Sequence, residues 1–170
     1  MSIRKPGWAA GASLMVNGQV VEAADGAGDE GGYAVVRRAW GSHDALEVVF
    51  AADLRLETRD KKSMTLDAMG ADVVEAALWY GPYLLSAQSS SDAAFFAEPW
   101  ANNVVYLSDG MAATPGQDKE RPFAIPGSCF VASYLHEGST EPSQVVLRPM
   151  SDCMQDDQNT IAVWLRYQRK

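Results

Sequence analysis

The sequence predicts an all-β protein built as a two-sheet antiparallel β-sandwich, jelly-roll-like in the number and length of its strands. Three observations carry that expectation. Short apolar or alternating runs recur along the 170 residues, separated by clusters of Gly, Pro, Asn, Asp and Ser, and roughly six to eight of them fit into the first half of the chain. Asn17-Gly18, between two such runs, is a strong hairpin signal because both residues tolerate the positive φ of a type I′ turn. Residues 73–87, VVEAALWYGPYLLSA, are apolar on both strand faces, as suits a strand in the middle of a sandwich.

Residues 2–8, SIRKPGW, form a short strand stopped at Pro6-Gly7, with Ile3 and Trp8 as apolar anchors. Residues 12–16 and 19–23 are the arms of the Asn17-Gly18 hairpin. Residues 25–32, DGAGDEGG, lack periodicity and are expected to be a solvated loop, since Asp25, Asp29 and Glu30 do not follow calcium-loop spacing. Strands follow at 33–40, 46–50 and 54–59, the last with one wet face. Residues 60–70 are polar, with Met64, Leu66 and Met69 available as anchors.

Within residues 73–87, Pro82 lacks a backbone donor and Gly81 is conformationally free, so the run breaks there. Taken as strand, bend and strand, it places Val73, Ala77, Trp79, Tyr83 and Leu85 on one face. Val74, Leu78, Tyr80 and Leu84 take the other. The competing assignment is a helix over residues 71–79, because Ala and Glu favour helices.

Past a serine-rich break at 88–92 the pattern is irregular. Phe95, Phe96 and Trp100 are expected to pin a long loop, with a short strand at 104–107 and a polar turn region at 115–121. Strands resume at 123–125, 129–135, 144–147 and 161–167, with an acidic loop at 150–160. In the last strand Ile161, Val163, Leu165 and Tyr167 face one way. The domain plan is a β-sandwich over 1–88, an irregular linker over 89–120, and further strands over 121–170 packing on or extending the sandwich.

Hydrophobic residues make up 47% of the chain, enough for a real core and against global disorder. A net charge of −8 and a pI near 4.7, with Lys and Arg scattered, argue against nucleic acid and anionic membrane as partners. No apolar run reaches the roughly 18 residues of a spanning helix. Met1 precedes a charged, proline-containing strand rather than a signal-peptide pattern, so the chain as written is expected to be soluble without an export signal. Cys129 and Cys153 are expected to be two buried thiols, with a disulfide as the alternative in an oxidising compartment. Neither His43 nor His136 stands at zinc-ligand spacing from both, so no metal and no cofactor is expected.

The residues carry little sign of chemistry. His43 lies in the turn Gly41-Ser42-His43-Asp44, and His136 precedes Glu137-Gly138 at a strand end. No nucleophile-elbow motif and no glycine-rich phosphate loop is present. Glu47, Asp53, Glu57 and Glu75 lie in or beside strands. Glu75 interrupts an apolar run and is expected to point outward or pair with an arginine such as Arg37 or Arg55. The five tryptophans raise the possibility of a sugar-stacking platform. Core packing is the expected use of Trp79 and Trp164, which leaves Trp100, beside Asn102 and Asn103, as the candidate carbohydrate-binding group.

Five pieces in order, IRKPGWA, LMVNGQ, GGYAVVRRAW with a following Asp44, LEVVF and AALWYGPYLL, resemble a region of glycoside hydrolase family 127, which includes β-L-arabinofuranosidases. The matching region is the β-sandwich after the catalytic barrel. The pattern falls on Arg4, Pro6, Gly7 and Trp8; Asn17 and Gly18; Gly32, Tyr33, Arg38 and Trp40; and Gly81 and Pro82, over roughly residues 2–88. Lys5 stands where an apolar residue is usual, and Ser42-His43-Asp44 replaces a more usual Asp/Asn-Gly-Asp turn.

The resemblance implies that the catalytic groups, glutamates and a zinc-bound cysteine, belong to a preceding (α/α)6 barrel. None of them is placed on this chain, and Cys129 and Cys153 lie outside the matching region. It also implies that the sandwich lacks N-terminal strands found in the family, leaving a sheet edge open or covered. The expected function is a non-catalytic accessory β-sandwich that supports the catalytic barrel or self-associates through the open edge. The alternatives are a carbohydrate-binding module that takes an oligosaccharide on Trp100, Asn102 and Asn103, and a small glycosidase using acids among Glu47, Asp53, Glu57 and Glu75.

Overall fold

The computed structural model describes residues 1–22, 24–25, 32–108, 111, 129–152 and 159–170. Every regular element among them is a strand or a short 3-10 turn. The all-β expectation holds, and no helix forms over 71–79. By its internal contacts the chain divides into two compact units, residues 1–53 and 54–170.

The first unit contains β1 (Ser2–Arg4), β2 (Ala9–Val16), β3 (Gln19–Val21), β4 (Ala24–Asp25), β5 (Tyr33–Val35) and β6 (Leu46–Ala52). They form two small sheets, ordered β1-β5-β4 and β3-β2-β6. The hairpin between β2 and β3 turns at Asn17 and Gly18, with φ of 53° and 78°, the left-handed pair that a two-residue turn requires. Leu14 and Val16 alternate inward and are each 2% exposed, while Trp8 meets Phe50 edge-on at 5.9 Å. The strand expected over 33–40 ends at Val35. Beyond it the Val36 amide donates to the Met1 carbonyl at 2.9 Å, and Arg38 donates from Nε to the Ala39 carbonyl at 3.1 Å. Of the expected solvated loop over 25–32, residues 26–31, with Asp29 and Glu30, lie outside the described residues.

The second unit contains β7 (Leu54–Thr58), β8 (Ser63–Thr65), β9 (Val74–Tyr80), β10 (Tyr83–Gln88), β11 (Val104–Leu107), β12 (Phe130–Leu135), β13 (Ser143–Pro149), β14 (Ile161–Ala162) and β15 (Trp164–Arg169). The strands run β10-β13-β12-β11-β15-β9, and β9 pairs again with β10, so six strands close into a barrel with β7, β8 and β14 attached. Pairing is antiparallel except between β11 and β15, which run parallel.

This closed barrel overturns the two-sheet antiparallel, jelly-roll-like sandwich. Each strand's own pattern marks a half-buried or buried strand. Whether such strands stack as two layers or curl onto themselves depends on which distant strands meet. Here β15 is inserted between β9 and β11, which joins the two ends of what would otherwise be an open sheet.

The β9–β10 hairpin also corrects the face assignment. Tyr80 pairs with Tyr83 and Trp79 with Leu84, so a two-residue turn at Gly81-Pro82, with Gly81 at φ 53°, places Tyr80 and Tyr83 on one face. An extended bend would have put them on opposite faces. Leu78 and Leu85 therefore both point inward, joined by Val105, Phe130, Leu147, Leu165 and Tyr167 in one core. Each such fully buried aliphatic side chain contributes roughly 2 kcal/mol relative to exposure. Met69 is 3% exposed and Phe95 1%, with Met64, Leu66, Phe96 and Trp100 packed against the same core, so these anchors close it as expected. Among the described residues no helix is long and apolar enough to cross a membrane. Cys153 lies outside the described residues, so its pairing with Cys129 does too.

Candidate functional site

The residues that carry the family resemblance in the first unit form a brace around the hairpin. Asn17 Nδ2 donates to Asp44 Oδ1 at 2.7 Å, and the Ala45 amide donates back to Asn17 Oδ1 at 2.9 Å. The Gly41 amide donates to Asp44 Oδ2 at 2.8 Å, and Arg38 Nη2 lies 3.2 Å from the same oxygen. The Arg38 guanidinium also stacks over Trp40 at 5.4 Å. The Gly41 amide, then Asn17, then Arg38 hold the Asp44 carboxyl below its ordinary range. These contacts tie the hairpin to the turn that precedes β6, and His43 in the same turn is exposed.

A second polar cluster lies on the outer face of β7, β9 and β15. Strand alternation sends Leu78 and Ala76 inward and Trp79, Ala77 and Glu75 outward. Arg55 stands opposite Trp79 and Glu57 opposite Ala77, while Trp164 stands opposite Ala77 and Arg166 opposite Glu75. Two cation–π stacks cross this face, Arg55 over Trp79 and Arg59 over Trp164, each at 4.8 Å. The first is sealed: Arg55 Nη1 and Trp79 Nε1 are shielded from solvent.

The second stack is open, with Trp164 37% exposed. Arg59 is held over that ring by Glu75 Oε1, which accepts from Nε at 2.9 Å and from Nη2 at 2.6 Å. As an exposed ion pair this contributes little stability, on the order of 0–1 kcal/mol; its effect is to orient the guanidinium. Arg166 Nη1 donates to the Asn102 carbonyl at 3.0 Å, and Asn102 Nδ2 donates to Glu137 Oε2 at 2.5 Å. Trp164, Arg59, Glu75, Arg166, Asn102 and Glu137 thus form one run across the barrel wall.

The three residues proposed from sequence separate. Trp100 opens the 3-10 turn Trp100–Asn102 and packs on the core beside Phe96, ring centroids 5.3 Å apart. Asn103 is 2% exposed, and its Nδ2 donates to the Phe95 carbonyl at 2.7 Å. Since that carbonyl only accepts, Asn103 Oδ1 must face His136 Nδ1, 2.7 Å away, and the imidazole carries its proton on Nδ1. Asn102 alone of the three is exposed.

Trp164, assigned to the core by its apolar surroundings, faces out instead. Leu165 and Tyr167 take the inward positions, so alternation turns Trp164 to solvent. Glu75 is exposed and paired as expected, but with Arg59 rather than Arg37 or Arg55. Glu47 and Asp53 lie exposed in the first unit and Glu57 half-buried in the second. Among the described residues no three His, Cys, Asp or Glu side chains are grouped to hold a metal ion.

Comparison with known proteins follows these two units. A family model described as the β-L-arabinofuranosidase GH127 middle domain matches residues 1–52. No curated protein sequence matches the chain. A solved structure described as a glycoside hydrolase superposes with a TM-score of 0.62 at 19% identity, over 99% of this chain and 27% of its own. A GH127 β-L-arabinofuranosidase from Geobacillus stearothermophilus T6 superposes with a TM-score of 0.55 at 19% identity, over 99% of this chain and 26% of its own. The chain therefore spans about a quarter of the length of these structures, and at that identity the likeness is one of fold. This chain resembles glycoside hydrolase family 127, by sequence through the middle domain over residues 1–52 and by fold over nearly its whole length.

Proposed function

We propose that this chain is a non-catalytic accessory part of a family 127-type glycoside hydrolase, and that it supports a catalytic barrel carried on another segment. The observation that supports this most is coverage: 99% of the chain superposes on only 27% of a glycoside hydrolase. The arrangement of its acids agrees. Glu75 is engaged by Arg59, and Asp44 is engaged by Asn17, Gly41 and Arg38.

The test is to produce the chain alone and together with an (α/α)6 catalytic segment of such a hydrolase, and to follow cleavage of an aryl β-L-arabinofuranoside. The expected outcome is no turnover by the chain alone, co-elution with the catalytic segment, and slower thermal inactivation of that segment in the complex. Turnover by the isolated chain that disappears in Glu57→Gln or Glu75→Gln would overturn the reading.

A further inference from the structure

Among the described residues β6 is the longest outer strand of any sheet. Its seven residues pair with β2 on one side, and no described strand lies on the other. The remaining outer strands, β1, β3, β4, β8 and β14, have two or three residues each. Shortness protects an edge from added strands, as do Lys, Pro, inward charges and bulges. Residues 46–52, LEVVFAA, carry none of these. Their one charge, Glu47, is exposed, and the register shift of the pair lies in β2, between Ala9 and Gly11.

Alternation fixes which backbone groups face the open side. The Asn17 amide donates to the Ala45 carbonyl at 2.9 Å, so along the antiparallel ladder Glu47, Val49 and Ala51 turn their backbone groups to β2. Leu46, Val48 and Phe50 turn theirs the other way, where no turn or loop of the described residues bonds to them. Such a row of donors and acceptors takes an added extended segment.

β6 is complementary to itself. Set antiparallel to its own copy about a two-fold axis at Val49, it places Val48 opposite the copy's Phe50, and these open positions exchange N–H and C=O bonds. Val49 then meets its counterpart at a non-hydrogen-bonded position, about 4.5 Å between Cα atoms, which covers a side chain that is 48% exposed. Glu47 falls opposite Ala51 rather than opposite itself. The two glutamates stand roughly 14 Å apart, beyond the screening length of about 8 Å. An axis between two residues would set open backbone groups against groups already bonded to β2, and any axis away from Val49 shortens the overlap.

We infer that the open side of β6 is a self-association surface, on which a second copy of this chain adds antiparallel and joins two β3-β2-β6 sheets into one. Seven residues edge to edge make a contact at the small end of specific interfaces, below about 1,200 Å², so the dimer is reversible. The inference is independent of the accessory reading above.

The experiment is sedimentation velocity of the whole chain from about 1 μM to about 1 mM, the range of a weak interface. A monomer–dimer equilibrium is expected. The amides of Leu46, Val48 and Phe50 should gain hydrogen-exchange protection as the dimer forms, while those of Glu47 and Val49 are protected throughout. Val49→Lys and Val49→Glu should each weaken the dimer by about tenfold or more, since each sets like charges opposite one another. Mixed one to one, the two variants should dimerise again, because the axis sets position 49 against itself. Val20→Lys, on the far strand of the same sheet at a residue 75% exposed, should change nothing. Circular dichroism and thermal melting establish that each variant folds. A chain that stays monomeric to the top concentration, a dimer left intact in folded Val49→Lys, or a mixture of the two charge variants that stays monomeric would overturn the inference. So would an edge that a catalytic segment occupies, seen as association that Val49→Lys abolishes while the chain alone remains a monomer.

Discussion

Asn17 and Asp44, 27 positions apart, are joined side chain to side chain at 2.7 Å, which ties the first hairpin to the turn preceding β6. Asn17 makes that bond from a left-handed backbone, φ 53°. Two substitutions separate its roles. Asn17→Gly keeps the backbone conformation and loses only the side-chain bonds. Asn17→Ala loses both, and should be less stable than Asn17→Gly by roughly 1 kcal/mol, the cost of a left-handed residue with a Cβ. Urea unfolding of the two variants beside wild type gives the comparison; equal midpoints would show that the bonds, not the turn, matter.

Asp44 also gives the first unit a pH dependence. Its carboxyl is held below the ordinary range chiefly by the Gly41 amide, then by Asn17 and Arg38. A depressed native pKa means that the unfolded chain takes up the proton first, so the stabilisation is present above the ordinary carboxylate range and is lost as pH falls through the native value. Asp60, lowered to about 2 mainly by Lys62 and then Thr58, adds the same sign in the second unit, across a window from the ordinary 3.8 down to about 2. Asp44→Asn and Asp60→Asn should therefore be less stable than wild type at neutral pH, with the difference shrinking as pH falls through the native carboxyl range. A difference that stays the same from neutral to acid pH in both variants would refute this.

Leu78 is fully buried between inward-facing strands. Leu78→Ala should lower unfolding free energy by about 2–5 kcal/mol, the range for aliphatic truncation in a core. Val131→Thr, at an exposed position on the outer wall, should change it by less than about 0.5 kcal/mol. Chemical denaturation of both variants tests whether the inward and outward sets are assigned correctly.

Tyr167 predicts the opposite direction. Its ring is wholly buried, its hydroxyl has no hydrogen-bond partner among the described residues, and burial pushes its pKa up. A buried hydroxyl without a partner is a cost, so Tyr167→Phe should leave stability unchanged or raise it by about 1 kcal/mol. A clear fall in melting temperature would mean that the hydroxyl is satisfied in solution.

What was legible in the sequence follows the range of the interaction involved. The Asn17-Gly18 hairpin, the break at Gly81-Pro82 and the anchors Phe95 and Met69 depend on neighbours or on plain hydrophobicity, and the structure bears them out. The parity of β10 was not legible, because a two-residue turn and a bend differ only in pairing, and Tyr80 opposite Tyr83 requires knowing that the chain reverses. Barrel closure was hidden for the same reason, since it rests on β15 lying between β9 and β11. Asn103, in an irregular polar stretch, suits solvent on composition alone; it is buried because the Phe95 carbonyl and His136 satisfy its amide. Trp164 could have been recovered from alternation, since fixing Leu165 and Tyr167 inward fixes it outward.

The position of β15 in the ring has a consequence for biosynthesis. When a ribosome has made the first five staves, β9 and β11 still each lack the neighbour that β15 supplies on one side, and the polypeptide must wait for residues 164–169 before the cylinder can seal. Until then two unfilled margins remain open to other nascent strands. Stop codons placed before this segment should accordingly yield sticky, chaperone-bound products, whatever the quality of the apolar interior already made.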